Sequence, residues 1–426
     1  MLVQLVIDVG AGRPRRVYVS FERAPRDVIE PLAAVPDTLV TSDGLAGPRV
    51  LALLPARWMC ASGLVGLQVA AADAGRHAAY DAYVERSFPG SLACLTSDQF
   101  ADWLYDRPTC WYTMYARTGA QKYAEAAYQA ASFLRTHTRN AGPEAGTFTL
   151  KDVPDIKYVY PRAMHIHYLL TGDDRAREAA TRMAQYCRAN TDPVYDPSRL
   201  RPASPGSDPE RGRAFWTLRS QGYGLLGILH GWELTGDRTY LDQARACVDA
   251  YQRHQRQPPD GRPPDGSFRQ DWRLYDPGEA TLPGATSAWM AAILLDALFH
   301  YHEVTGDARV AEMVLAWCDF LDAHGFTADG SKAFYVIDCF APAGAPSGVS
   351  GVDMEQHNLE IAATFAMGIY FTRDARRAEV YAKRFERLFR LALSADAPHP
   401  QRAYGWMFQT PSRLLYFLSH PGEGAR

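Results

Sequence analysis

The sequence has few cysteines for its length and lacks the common metal-ligand spacings. Its 426 residues include seven cysteines, and no two of them stand close together. No Cys-x-x-Cys or His-Glu-x-x-His pattern occurs, so we expect no metal and no cofactor. The odd, scattered cysteines predict free buried thiols in a reducing compartment.

Long apolar runs and a strong net charge are also missing. The formal net charge is −3, which is too small to recruit nucleic acid or an anionic membrane surface. No apolar run is long enough to span a bilayer. Residues 1–8 lack the basic region, apolar core and cleavage site of a secretory signal. We therefore expect a cytoplasmic protein without nucleic-acid or membrane partners; export would need a segment upstream of residue 1.

One short motif recurs along the chain. Thr-Gly-Asp stands at residues 171–173, 235–237 and 305–307, and weaker copies begin at Thr118 and Thr372. Gly can close a helix in the left-handed conformation, and the following Asp can cap the next helix. Each copy therefore predicts a tight turn between antiparallel helices. Their repetition indicates a solenoid or a closed ring.

The apolar pattern changes near residue 97. Before it, stretches such as 16–21, 64–69 and 79–88 read as strands separated by Pro, Gly, Asp and Ser. After it, the spacing becomes helical. Outer helices are predicted at about 120–137, 173–190, 237–255, 307–325 and 374–394, and inner helices at about 101–117, 157–171, 214–235, 284–304, 354–371 and 403–419.

These elements define the predicted fold class. We predict a mainly α protein, with an α/α toroid of about six helical hairpins over residues 96–426. A smaller antiparallel β-rich domain, sandwich-like and possibly the end of a larger β-region, would occupy residues 1–95. The long loops all lead into the N-terminal ends of the inner helices, so we expect those ends to line a functional mouth of the ring.

The side chains at that mouth are aromatic, cationic and acidic. The candidates for substrate binding are Trp103, Asp106, Arg107, Arg162, Trp216, Arg219, Gln221, Trp289, Glu355 and Asn358. The candidates for catalysis are Tyr160, His165, His357 and Tyr404. His165 and His167 form a His-x-His pair, but on a helix their rings diverge, which argues against a metal site there.

These residue types suit β-elimination on a uronic-acid-containing glycan. His165 or His357 would be the base, because a neutral imidazole is basic near pH ~7. Tyr160, with Tyr404 as its rival, would protonate the leaving oxygen. Arg162, Arg219 and Asn358 would neutralise the uronate carboxylate, and the partner would be an acidic poly- or oligosaccharide.

Three other interpretations stay open. A glycoside hydrolase on the same scaffold would need two facing carboxylates, for example Asp106 and Glu355. A non-catalytic glycan-binding protein would keep the aromatic residues without a polar cluster. Each candidate can also be structural: a histidine satisfied in a helix interface, a helix-capping Asp, or a Trp in the core.

The chain also resembles a known family. The segment Asp102-Trp103-Leu104-Tyr105-Asp106-Arg107, the turn Tyr115-Ala116-Arg117-Thr118-Gly119 and the segment Trp58-Met59-Cys60-Ala61-Ser62-Gly63 are similar to those of exo-rhamnogalacturonan lyase-like proteins. The resemblance spans about residues 50–420. It implies β-domains followed in the sequence by an α/α toroid, and a polysaccharide lyase activity. It assigns no catalytic residue.

Overall fold

The protein is mainly helical throughout the parts that the computed structural model describes, which are residues 33–34, 52–95, 97–191, 217–258, 263–270, 285–339, 357–394 and 402–425. The α-helices are α1 Ala56–Ser62, α2 Ala79–Leu92, α3 Arg107–Thr118, α4 Gln121–Thr136, α5 Pro161–Thr171, α6 Asp174–Asn190, α7 Leu218–Thr235, α8 Arg238–Arg256, α9 Ala288–Thr305, α10 Arg309–His324, α11 Asn358–Phe371, α12 Ala375–Ser394, α13 Arg402–Phe408 and α14 Leu414–Ser419. The strands are β1 Ala33–Ala34, β2 Ala52–Leu53, β3 Ala285–Thr286 and β4 Ile337–Asp338.

The helices form a closed double ring. The inner helices α3, α5, α7, α9, α11 and α13 each contact the next, and α13 contacts α3. Around them, α4 packs on α6, α8 on α10, and α10 on α12. Gln243 of α8 donates to the carbonyl of Arg188 on α6 at 2.8 Å and joins these two outer helices. The predicted α/α toroid is therefore confirmed. Most helix bounds lie within a few residues of those expected, but α3 begins six residues later than predicted and the helix predicted at 403–419 is divided into α13 and α14.

The Thr-Gly-Asp turns have the predicted geometry. Gly172, Gly236 and Gly306 close their helices with φ of 68°, 69° and 68°. After the second turn, the side chain of Asp237 accepts from the backbone N–H of Thr239 at 2.9 Å and caps α8. Thr235 adds a role that the sequence did not suggest, since its hydroxyl donates to the carbonyl of Gly231 and accepts from the N–H of Asp237. The turn is thus held by side chains on both sides of its glycine.

The inner helices α9 and α11 are buried on nearly all sides, whereas the outer helix α12 is amphipathic. Every residue of α11 is buried, as is α9 from Ala288 to Tyr301. On α12, by contrast, buried residues recur every three or four positions, among them Tyr381, Phe385 and Leu388. None of the described helices is both long and apolar enough to cross a membrane.

The sixth outer helix comes from a segment predicted as a strand. Residues 79–88 belong to α2, whose buried Tyr80, Tyr83, Val84 and Phe88 follow helical spacing. Phe88 packs on Tyr123 of α4 with ring centroids 4.6 Å apart, and α2 also contacts α12 and α13. The strand prediction is wrong here because aromatic and β-branched residues were read at period two.

The predicted β-rich domain is not confirmed. The only strands in the described part of residues 1–95 are β1 and β2, which have two residues each and pair antiparallel. Residues 64–69, predicted as a strand, contain a single bridge between Leu64 and Gly66. The strand predicted at 16–21 lies outside the described residues, and the division at residue 95 stays a prediction.

The segment around α1 covers the turn end of the ring beside α3. The backbone N–H of Leu54 donates to the hydroxyl of Tyr115 at 2.9 Å. Arg117 donates to the carbonyl of Val69 at 2.9 Å and pairs with Asp81 at 2.7 Å. The end of the ring that carries the turns is therefore tied to the N-terminal part of the chain.

The turn geometry predicts a specific cost for losing its glycine. Gly236→Ala places a Cβ at a left-handed position with no heavy atom within 4 Å, so only backbone strain changes. We expect the free energy of unfolding to fall by about 1–2 kcal/mol. Gly236→Asn is the matched control and should cost less, because Asn tolerates this conformation. Chemical denaturation measures both, and an alanine variant as stable as the wild type would contradict the assignment.

Candidate active site

The N-terminal ends of the inner helices bring a cation and aromatic rings together, as predicted. We call Tyr105, Arg219, Trp289, His357 and Trp406 the mouth cluster. Arg219 donates to the hydroxyl of Tyr105 at 2.9 Å, and its guanidinium lies 5.2 Å from the ring centroid of Trp289. Trp289 stacks on His357 at 4.3 Å with an 8° angle, and His357 lies 5.5 Å from Trp406. Five different parts of the chain therefore meet at one mouth.

A buried carboxyl group lies directly behind this cluster. Glu360, one turn into α11, is 1% exposed, and one of its oxygens pairs with Nδ1 of His357. Burial raises the pKa of Glu360, and the nearby His357 and Arg219 offset only part of that rise. The other oxygen, Oε1, has no hydrogen-bond partner among the described residues. Glu360 is thus a carboxyl group that keeps a proton more readily than usual.

A second buried carboxyl group caps the first inner helix. Asp106 accepts from the backbone N–H and the hydroxyl of Thr109 at 3.2 and 2.7 Å. Burial raises its pKa to about 6, although the Thr109 bonds and Arg162 oppose the rise. Its own N–H donates to Gln409 at 3.4 Å, and Gln409 also accepts from Tyr223, whose ring lies beside Tyr105. These contacts connect Asp106 to the mouth cluster.

Lys157 adds a second cation at the rim of the mouth. It stands in the 3-10 turn before α5 and pairs with Asp155 at 3.1 Å. Burial and the neighbouring Arg219 lower the pKa of Lys157 to about 8, against the opposing charge of Asp155. Because the two cations repel each other, an anionic group bound between them would be stabilised.

The tyrosines predicted as proton donors lie within the core instead. The hydroxyl of Tyr160 accepts from the N–H of Tyr105 at 2.6 Å and donates to backbone carbonyls, one of them that of Trp103. Tyr404 packs between Trp111 and Phe408. Burial raises the pKa of both hydroxyls well above the ordinary value. Both hydroxyls are therefore buried: that of Tyr160 contacts Tyr105 of the mouth cluster, and that of Tyr404 has no hydrogen-bond partner among the described residues.

His165 lies at the opposite end of the ring from the mouth. Its Nδ1 is 3.3 Å from Nδ1 of His230 and 3.5 Å from Glu233, and both partners stand in the last turns of α7. His167 points elsewhere, as predicted, with Nδ1 2.5 Å from the hydroxyl of Tyr112. The two histidines proposed as alternative bases are therefore at different ends.

Most of the other predicted residues are held in the core. Trp103 stacks on Phe133 at 4.6 Å, and Arg107 lies over Trp103 at 5.1 Å. Gln221 accepts from Tyr251 of α8 at 2.8 Å. Arg162 pairs with Asp296 at 3.4 Å, inside the ring. Asn358 is buried as the first residue of α11, and Trp216 and Glu355 lie outside the described residues.

The loops of the mouth leave one expectation open. The mouth was predicted to hold the largest polar-lined pocket, and this stays a prediction because most of its long loops lie outside the described residues. A shallow depression of the described surface lies instead at the turn end of α11, lined by Ile369, Thr372, Arg373 and Glu423 among others. It contains none of the site candidates and none of the turn glycines.

Two functional candidates were missed from the sequence although each left a signal. Glu360 is a lone carboxylate in the apolar run of α11, and a buried charge of this kind often marks a functional site. His230 and Glu233 belong to a His-x-x-Glu-x-Thr-Gly-Asp pattern that recurs at residues 300–307. The repetition places a histidine and a glutamate near the end of two inner helices, α7 and α9.

Comparison with known proteins shows the fold. No family model and no curated protein matches the chain. Among solved structures, an unsaturated glucuronyl hydrolase from Streptococcus agalactiae matches at 13% identity and a TM-score of 0.50, over 76% of this chain and 82% of that one. A cellobiose 2-epimerase from Bacillus thermoamylovorans matches at 13% identity and 0.51, over 74% and 86%. A sugar epimerase from a ruminal bacterium matches at 14% and 0.50, over 74% and 86%.

These neighbours correct two predictions. They are carbohydrate-active enzymes on an α/α toroid, a glucuronyl hydrolase and two epimerases, and they give no specific support to the rhamnogalacturonan lyase-like family. The predicted β-elimination is overturned by the same finding, which favours the hydrolase alternative. The roles of base and leaving-group acid assigned for elimination are therefore withdrawn.

The pKa of Asp106 predicts a pH-dependent contribution to stability. Its folded-state pKa of about 6 lies above the unfolded value near 3.9, so its stabilisation is fully present below pH ~4 and lost as pH rises through ~6. Asp106→Asn keeps the cap but does not titrate. From pH 4 to 7, the wild-type free energy of unfolding should fall by about 2 kcal/mol relative to that of Asp106→Asn.

Denaturation at several pH values measures this difference. Asp242→Asn, at an exposed position of α8, is the control for removing a surface carboxylate. A difference between wild type and Asp106→Asn that stays constant over this range would contradict the buried carboxyl assignment.

Proposed function

We propose that the protein hydrolyses a glycosidic bond in an oligosaccharide that carries a uronate residue, and that the mouth cluster is its active site. The observation that carries the proposal is Glu360. It is a buried carboxyl group with a raised pKa, paired with His357 and near the charge of Arg219, and one of its oxygens has no hydrogen-bond partner among the described residues. Glycoside hydrolysis needs a carboxyl group in such a state near neutral pH.

Glu360 and His357 act together in the proposed reaction. A hydrogen bond from the imidazole holds one carboxyl oxygen and leaves the other for the sugar. Glu360 donates its proton to the leaving oxygen as the glycosidic C–O bond breaks. A water molecule forms the new bond to the anomeric carbon and gives its proton to the ionised Asp106. Asp106 is the second carboxyl group, and its pKa of about 6 leaves it largely ionised at neutral pH, as the partner of the acid must be. The pair replaces the Asp106 and Glu355 pair considered from sequence.

Charge and ring faces support an acidic sugar as substrate. Arg219 offers a planar fork that matches a carboxylate, and Lys157 adds a point charge at the rim. Trp289 and Trp406 present the flat apolar surface on which sugar rings stack. One of the similar solved structures, at a TM-score of 0.50, is named for the saccharide dGlcA-Glc-Rha-Glc, which agrees with a uronate-containing substrate.

Removal of the Glu360 proton tests the reaction. Glu360→Gln keeps the shape of the side chain but cannot give a proton. We expect kcat on glucuronate-containing disaccharides to fall by about 10²–10⁴-fold, because general acid catalysis contributes that much. The assay follows new reducing ends by colorimetry and new products by mass spectrometry, with saturated and unsaturated glucuronate disaccharides as substrates.

The control for this variant is Glu379→Gln, which removes an exposed carboxylate of α12. It should retain wild-type kcat. Two results would overturn the proposal: an isomerised sugar without cleavage, which indicates an epimerase, or binding without any turnover, which indicates a glycan-binding protein.

Lys157 predicts how affinity for an acidic sugar depends on pH. Its pKa of about 8 means that its charge is present at pH ~7 and mostly lost at pH ~9. The Kd of a glucuronate disaccharide for Glu360→Gln should therefore rise several-fold over this range, as measured by calorimetry. Adding Lys157→Met should weaken binding at pH 7 and flatten the profile, whereas adding Lys383→Met on exposed α12 should change neither. A pH-independent Kd in the Lys157-containing protein would refute a role for this charge.

A further inference from the structure

A cluster of histidines and carboxylates lies at the turn end of the ring, away from the proposed active site. We call His165, His230, Glu233 and His300 the turn-end cluster. They stand on three successive inner helices, α5, α7 and α9. Each of these helices ends in a Thr-Gly-Asp turn just beyond them. The proposed hydrolysis uses none of them, so the cluster needs its own explanation.

Three ligand atoms of this cluster face one another. Nδ1 of His165 lies 3.3 Å from Nδ1 of His230 and 3.5 Å from Oε2 of Glu233, and His230 Nδ1 lies 2.7 Å from the same oxygen. A circle through the three atoms has a radius of about 1.9 Å, so an ion at the usual 2.0–2.1 Å from each fits about 0.9 Å above their plane. We infer that His165, His230 and Glu233 bind a divalent transition-metal ion such as Zn²⁺.

The donor atoms of the triad suit a cation. Each imidazole presents a lone pair at Nδ1 when its proton is on Nε2, so the two Nδ1 atoms and the carboxylate oxygen can all act as ligands together. An ion satisfies all three at once. Two nitrogens and one carboxylate oxygen suit Zn²⁺ and its neighbours better than Mg²⁺ or Ca²⁺.

A second layer of residues holds the carboxylate in place. His300 lies 3.0 Å from Oε1 of Glu233, the oxygen that does not face the triad, and its ring stacks on His230 at 5.0 Å. His300 also pairs with Glu303 at 3.1 Å, and Glu303 pairs with Arg413 at 2.9 Å. Metal sites commonly fix their ligands through such partners. The site is thus oriented by a network and does not depend on three isolated side chains.

An ion can reach the triad from solvent and few other groups would compete for it. The side chain of Glu233 is 22% exposed and that of His165 is 12% exposed. All seven cysteines are buried and none is in the cluster. With three protein ligands, at least one coordination position stays open to water.

The test uses the full chain after chelator treatment and dialysis. Zn²⁺ binding is measured by titration calorimetry and by metal analysis after gel filtration, and Co²⁺ is added separately to record its visible absorption. We expect one Zn²⁺ per chain and Co²⁺ bands typical of low coordination number. His230→Ala and Glu233→Gln should each weaken Zn²⁺ binding by more than about 100-fold, and His300→Gln by about 10–100-fold, as is usual for an outer partner.

The matched control is His324→Gln, which removes a histidine of α10 that stacks on Phe320 outside the cluster. It should bind Zn²⁺ as the wild type does. Far-ultraviolet circular dichroism checks that each variant is folded, and Glu233→Gln, at the more exposed ligand, provides the test if His230→Ala does not fold. Absence of stoichiometric Zn²⁺ binding, or equal affinity in a folded triad variant, would overturn the proposal. Because the readout is binding, its failure is separate from any failure of the proposed hydrolase.

Discussion

Burial of the inner helices along almost their whole length is the constraint on which the rest of the structure depends. On α7, every residue from Leu218 to Gly231 is buried, and α9 and α11 are similar. Few polar groups can be accommodated in the middle of such helices unless they are paired. Asp296 shows the exception, since it sits between Arg162 at 3.4 Å and Arg413 at 3.2 Å. The polar clusters that could bind ligands therefore lie at the two ends of the ring.

The two ends differ in what they gather. The mouth joins aromatic faces and cations with the carboxyl groups of Glu360 and Asp106, and we propose hydrolysis there. The turn end joins His165, His230 and Glu233, and we propose a metal ion there. The two polar sites thus lie at opposite ends of the ring, where the helix ends are less enclosed by neighbouring helices.

The helical ring could be predicted because its signals are local. A turn such as Thr235-Gly236-Asp237 fixes where one helix ends and the next begins, so outer helix bounds came within a few residues. The sixth outer helix, α2, was missed because Tyr80, Tyr83 and Val84 suit a strand by residue type. Only packing against α4, α12 and α13 decides in favour of a helix.

The candidate sites were less predictable because they depend on which faces of separate helices meet. Trp289, His357 and Arg219 were predicted at the mouth from their positions at helix starts, and the structure brings them together. Tyr160 was predicted there for the same reason, and its hydroxyl is buried against the backbone N–H of Tyr105, whose φ is 73°. His165 was also assigned to the mouth, but it meets the last turns of α7, at the turn end of the ring.

A crystal structure of Glu360→Gln soaked with a glucuronate disaccharide tests the central claim most directly. The account predicts density for the sugar at the mouth, with its carboxylate on Arg219 and a ring against Trp289. Sugar density at the turn end beside Glu233 would contradict the account, as would a soaked crystal with an empty mouth under conditions where calorimetry shows binding.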